Sequence, residues 1–164
     1  MGPLIRIIVG VGVVVGVARV LEKLMHKKVF VSFDYTNDKH YKFLLQAWHA
    51  NKEFDFRFDD ASSGEIQSND IGRVKAALSN KIRDSEVTLV IVGKEANKAH
   101  RDRSLIGHKN WINFEIAKTK EFRHPIVAVM IDRGYESPDE LNGAGASWAM
   151  SFSDDAVTKA LRAV

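Results

Sequence analysis

Val87-Thr88-Leu89-Val90-Ile91-Val92-Gly93 decides the architecture. Every residue from 87 to 92 is apolar or β-branched, and a glycine stops the run. A half-buried strand would alternate apolar and polar residues with period two. This stretch does not alternate, so it reads as a central strand covered on both faces. A strand covered on both faces requires helices in front of the sheet and behind it.

Helices are what the flanking sequence supplies. Upstream, Ile71, Val74, Leu78 and Ile82 recur at helical spacing. Downstream, residues 111–122 read as a helix, with Asn110 in place as its N-cap. Residues 28–33 (Lys-Val-Phe-Val-Ser-Phe) and 125–131 are two further buried strands. Residues 54–58 (Phe-Asp-Phe-Arg-Phe) alternate with period two, which places them nearer a sheet edge. After a polar loop and helix cap at residues 34–38, a first helix is expected to bury Tyr41, Leu44, Leu45 and Trp48 on one face. Residues 132–152 read as loop, and Ser153 caps a last helix running to Arg162. Strands alternating with helices imply an α/β, flavodoxin-like three-layer sandwich with a parallel sheet of roughly four to five strands. Ligands of such sheets bind beyond the carboxyl ends of the strands, where strand order reverses. The loops that begin at Phe33, Phe58, Gly93 and Ile131 are therefore the ones to inspect. Residues 94–110 form a long, charged, irregular segment of the kind that often walls a site.

The chain has 164 residues, room for one domain and a short appendage. With 45% hydrophobic and 27% charged residues, a buried core is within reach. The net charge of +3 is mild and its basic residues are scattered, so nucleic acid is not expected as a partner. The absence of cysteine excludes disulfides, thiolate metal sites and a cysteine nucleophile. Residues 1–26 differ from the rest. Leu4 to Val20 is apolar apart from Arg6 and Arg19, near the lower limit of the about 17–25 residues that span a membrane. Arg19, Lys23, Lys27 and Lys28 follow it, and the positive-inside rule then puts residues 27–164 in the cytoplasm. The expectation is an apolar N-terminal helix anchoring a single domain to a membrane. A signal peptide or a buried soluble helix are the competing readings.

Several chemistries lack their residues. A phospho-receiver domain needs an aspartate ending the third strand, where this chain has Ile91-Val92-Gly93. A phosphate-cradling turn needs glycines after the first strand, and there are none. The six histidines show no ligand spacing, so no metal is expected. His100 and His108 read as solvated residues of the long segment. No nucleophile elbow is present.

What remains is Trp111-Ile112-Asn113-Phe114-Glu115, in which Trp111 and Glu115 share one helical face. Alone, this reads more readily as a core tryptophan and a surface glutamate. In context, the chain resembles TIR domains, and most closely the TIR-like subunit of bacterial Thoeris anti-phage defence systems. The resemblance runs through Lys28-Val29-Phe30-Val31-Ser32-Phe33-Asp34-Tyr35, Phe58-Asp59-Asp60-Ala61-Ser62, the strand at Val87, and the W-x-x-x-E motif on Trp111 and Glu115. It implies a TIR-like domain over residues 27–164 that cleaves NAD+ as substrate, with no separate cofactor and with Glu115 as the catalytic residue. NAD+ carries a cationic pyridinium that departs neutral, so a single fixed anion near the ribose suffices for the chemistry. Ser32, Phe33, Asp34, Tyr35, Asp59, Ser62 and Trp111 are the implied substrate-binding residues. Arg101, Arg103 and Lys109 are candidates for the pyrophosphate. The resemblance also implies a homo-oligomer and a separate effector protein that responds to a cyclic ADP-ribose product. A TIR-like adaptor without turnover, or a nucleotide sensor, is the alternative.

Overall fold

The computed structural model describes residues 27–50, 56–59, 66 and 68–164. Among these are five parallel strands: β1 (Lys27–Ser32), β2 (Phe56–Asp59), β3 (Val87–Val92), β4 (Ile126–Met130) and β5 (Ser147–Ala149). Their order in the sheet is β2-β1-β3-β4-β5, so the chain reverses direction across the sheet between β1 and β3. Five α-helices connect them: α1 (Lys39–His49), α2 (Ile71–Arg83), the short α3 (Arg103–Ile106), α4 (Trp111–Glu121) and α5 (Asp154–Arg162). The expected N-terminal helix and membrane anchor fall on residues 1–26, outside the described residues. Among the described residues no helix is long and apolar enough to cross a membrane.

Strand alternation sorts the core into two faces. Val29, Val31, Leu89, Ile91, Val127 and Val129 point to one side, where Leu45 of α1 and Val157, Ala160 and Leu161 of α5 cover them. Val90, Val92, Ala128 and Met130 point to the other, against Ile112 and Ile116 of α4. Phe30 joins that second face beneath Val74, Leu78 and Ile82 of α2. All of β3 is buried, as its unbroken apolar run requires. Each such side chain contributes about 1.5–3 kcal/mol on burial, so this double layer outweighs any single cap or surface pair.

Local signals fix where the helices begin. Asp70, Asn110 and Ser153 each accept a hydrogen bond from a backbone N–H three residues on, at Arg73, Asn113 and Ala156. Three expectations need correction. Leu44 is 45% exposed, because the inward stripe of α1 is Tyr41, Leu45 and Trp48 and residue 44 falls to its side. The stretch read as loop after Ile131 holds a 3-10 turn (Asp139–Leu141) and β5. Ser147-Trp148-Ala149 has no apolar run to announce itself, and only pairing with β4 makes it a strand. The segment after β3 is also less irregular than its charge implied, for it contains α3 and buries Ala96, Asn97 and Ile106.

Gly93 does more than end β3. A Cβ built there would lie 2.0 Å from Asp38 Oδ2 and 2.5 Å from its Cγ. Asp38 is the N-cap residue of α1 but makes no side-chain capping bond, and its carboxyl group is buried over the glycine. Gly93→Ala should therefore cost about 1–3 kcal/mol, the usual range for overpacking, measured by urea unfolding. Asp38→Ala in the same chain should restore much of it. Strict additivity of the two losses would refute the steric origin.

Candidate functional site

A cleft of about 540 Å³ opens at the carboxyl ends of β1 and β3. Phe33, Asp34 and Tyr35 line it from the end of β1, and Trp111 and Ile112 from the first turn of α4. Glu95, Lys98, His100 and Arg101 close it from the segment after β3. Phe33 is both core and wall: it is buried against the sheet and still borders the cleft. Asp34 accepts from Thr36 N at 2.9 Å and from Asn37 Nδ2 at 2.8 Å, so its carboxylate also folds its own loop. A second cleft, about 580 Å³, adjoins the first through Thr36, Asn37, Glu95 and Lys98.

The start of α4 is fixed by buried amides. Asn110 Oδ1 accepts from Asn113 N at 2.9 Å, while its Nδ2 donates to the carbonyls of Ala96 and Lys98, each at 2.9 Å. Asn113 Oδ1 accepts from Glu140 N at 2.9 Å, tying the helix to the turn after β4. One turn further on, Thr119 Oγ1 donates to the carbonyl of Glu115 at 2.9 Å and lies 2.8 Å from Thr88 Oγ1 of β3. α4 is thus held at both ends, and Glu115 sits between the anchors.

Glu115 is 1% exposed, and its Oε2 accepts a hydrogen bond from the hydroxyl of Ser32, which is itself buried. Ser32 adjoins Phe33 in sequence and Glu115 lies one helical turn from Trp111, both of which border the cleft, but neither Ser32 nor Glu115 is part of its lining. Burial pushes the Glu115 carboxyl up to about 8, and the bond from Ser32 only partly opposes this. The sequence led to a fixed anion. Burial instead leaves the carboxyl group holding its proton at neutral pH, because a surrounding of low dielectric penalises the charged form.

The remaining candidates divide. Trp111 packs edge-on to Phe114, with ring centroids 5.8 Å apart, and borders the cleft. Arg101 lines the cleft, whereas Arg103 and Lys109 do not. Lys109 is drawn instead to Asp139 at 3.2 Å and Glu136 at 3.8 Å. The backbone of Asp59 ends β2 in register with Phe30. Ser62 lies outside the described residues. His100, read from sequence as solvated, is a wall of the cleft. The length of the segment was the signal that could have found it. Among the described residues no cluster of three or more His, Asp or Glu side chains could hold a metal ion.

A family model described as Thoeris protein ThsB, TIR-like domain, matches residues 30–135, which include Ser32, the cleft and Glu115. The chain belongs to the Thoeris TIR-like family. No curated protein matches it. Among solved structures, a crystal structure of a prokaryotic SEFIR domain aligns with a TM-score of 0.48 at 17% identity, over 84% of this chain and 88% of that one.

The buried carboxyl gives this TIR-like domain a distinctive stability profile. Glu115 binds its proton more tightly folded (about 8) than unfolded (4.5), so the folded state holds the extra proton between those values. Its stabilising contribution is complete below the unfolded pKa and is lost as pH rises through the folded one, at up to about 1.4 kcal/mol per pH unit. Asp38, raised to about 6 chiefly by burial and next by the charge of Asp34, acts with the same sign over a narrower window. Thermal unfolding from pH 5 to pH 8.5 should show the melting temperature of the wild type falling more steeply than that of Glu115→Gln. Parallel curves would exclude a buried, protonated Glu115.

Proposed function

We propose that this TIR-like domain cleaves the bond between nicotinamide and ribose in NAD+, with Glu115 as the catalytic residue. The observation that carries the reading is the buried Ser32–Glu115 pair, one helical turn from the cleft-lining Trp111, inside the span matched by the family. Phe33, Tyr35 and Trp111 offer aromatic surfaces for the pyridinium and ribose. Asp34, Asp59 at the end of β2, and Ser62 serve the ribose hydroxyls.

The ionisation of Glu115 fits this substrate. A bound pyridinium cation favours the carboxylate, so binding displaces the proton and leaves a cation facing an anion in a medium of low dielectric. As the glycosidic bond breaks, its electron pair leaves with nicotinamide, which departs neutral and needs no acid. Positive charge moves onto the ribose, where the carboxylate stabilises it. Capture by water gives ADP-ribose and a proton, and capture by a nucleophilic group of the same molecule gives a cyclic product. In a Thoeris setting, a cyclic ADP-ribose signal would act on a separate effector during anti-phage defence, and a homo-oligomer is the expected enzyme form. The apolar residues preceding the domain support tethering to a membrane with the domain in the cytoplasm. Retention of the full chain in the pellet after carbonate extraction, against release of a chain beginning at His26, tests the tether.

A second reading, a TIR-like adaptor or sensor without turnover, is favoured by one feature: the Glu115 carboxyl is covered and protonated at rest. Nicotinamide release from NAD+ separates the two. Wild-type protein at high concentration, with and without phage lysate, should release nicotinamide. Glu115→Gln should be slower by about 10²–10³-fold, the usual loss for one preorganised electrostatic group. The kcat/KM of the wild type should rise with pH up to about 8, where the free carboxyl ionises. If neither protein releases nicotinamide, the adaptor reading stands.

A further inference from the structure

His100 is tied down at every polar atom except one. Its backbone N–H donates to the carbonyl of Lys109 at 2.8 Å, and its own carbonyl accepts from Arg103 N at 3.2 Å. These bonds close the segment 100–109 on itself. In the ring, Nδ1 accepts from the backbone N–H of Asp102 at 3.1 Å, and the imidazole meets the Trp111 ring edge-on at 6.5 Å between centroids. A backbone N–H can only donate, so Nδ1 must offer its lone pair. The proton of the neutral imidazole therefore resides on Nε2. The side chain is 36% exposed and borders the 540 Å³ cleft. Nε2, across the ring from the tethered nitrogen, is a preorganised N–H donor that needs no protonation to act.

Its neighbours on the same wall select the acceptor. Lys98 and Arg101 line the cleft beside it and bring further N–H donors. The nearby acids are engaged: Glu95 pairs with Lys98 at 2.5 Å, Asp34 accepts from Thr36 N and Asn37 Nδ2, and Asp102, outside the lining, pairs with Arg101 at 3.3 Å and lies 3.8 Å from His100 Nδ1. A wall rich in donors suits a group that only accepts, and phosphate oxygens are such a group, whereas ribose hydroxyls also need acceptors. We infer that His100 is a phosphate-binding residue of this cleft, donating from Nε2 to the pyrophosphate of the dinucleotide. This inference rests on the NAD+ reading for the identity of the ligand. It replaces Arg103 and Lys109, which lie off the cleft, as the partner of the pyrophosphate.

His100→Phe keeps a ring against Trp111 and removes the donor, and His100→Gln restores an N–H. With NAD+ as substrate, His100→Phe should raise KM about tenfold with little change in kcat, and His100→Gln should recover most of the loss. Nicotinamide riboside, which lacks the phosphates, should be cleaved equally by all three proteins. An equal loss on both substrates, or none on NAD+, overturns the proposal. ADP binding supplies an arm that does not depend on turnover. Nitrogen-15 spectra of the unliganded protein should show His100 protonated at Nε2, and ADP should bind His100→Phe at least about fivefold more weakly than wild type. The opposite tautomer, or equal ADP affinity, overturns the assignment to His100 even if NAD+ is cleaved. Failure of the wild type to cleave NAD+ while the ADP arm succeeds would sink the enzymatic reading and leave the phosphate site standing.

Discussion

A carboxyl group from α4 is held in the dry interior by the hydroxyl of Ser32, and the properties of the site follow from that contact. Burying an ionised carboxylate without a cation is expensive enough that the group keeps its proton instead. The bond from Ser32 lowers that penalty and fixes the direction of the side chain. It also joins the end of β1 to the second turn of α4, so the two elements that flank the cleft cannot drift apart without exposing an unpaired polar group. Leaving either partner unsatisfied costs about 1–3 kcal/mol, more than the net gain of an ordinary hydrogen bond.

The scaffold around the pair is built to keep it still. The sheet buries apolar residues on both faces, and α4 is anchored by Asn110 and Asn113 at one end and by Thr119 on Thr88 at the other. These polar contacts are buried and directional, which is what a helix needs if one of its side chains is to point to a fixed place. The outer wall of the cleft is different in kind. Residues 94–110 turn charged side chains, Glu95, Lys98 and Arg101, to the cleft and are shaped by internal bonds from Asn110, His100 and Asp102. Local turns carried on a rigid scaffold are where α/β folds commonly place recognition.

Much of this could be read from residue order. The unbroken run at Val87 identified the central strand, the alternation at Phe56-Arg57-Phe58 identified the edge strand, and Asn110 identified the start of α4. The four-residue spacing of Trp111 and Glu115 placed both on one side of that helix. Other features depend on contacts between residues distant in sequence. A glutamate at helical spacing reads as surface until its partner, 83 positions away, is known to be a buried serine. β5 exists only because β4 lies beside it. The tautomer of His100 is set by a backbone N–H two residues on, a detail of turn geometry that composition does not encode.

Burial and catalysis are often treated as opposed demands on an acidic residue, yet on the proposed reading one serves the other. A carboxylate exposed to water would be ionised at all times and screened by solvent, and would distinguish poorly between a cationic and a neutral ring. A carboxyl that is neutral at rest becomes an anion only when a cation lies close enough to offset its desolvation. On the proposed reading, the oxidised pyridinium of NAD+ supplies that cation and the reduced dihydropyridine does not. The same positive charge that makes nicotinamide a good leaving group would then switch on the residue that assists its departure, and the site would select its substrate by charge before contact with the rest of the dinucleotide adds affinity.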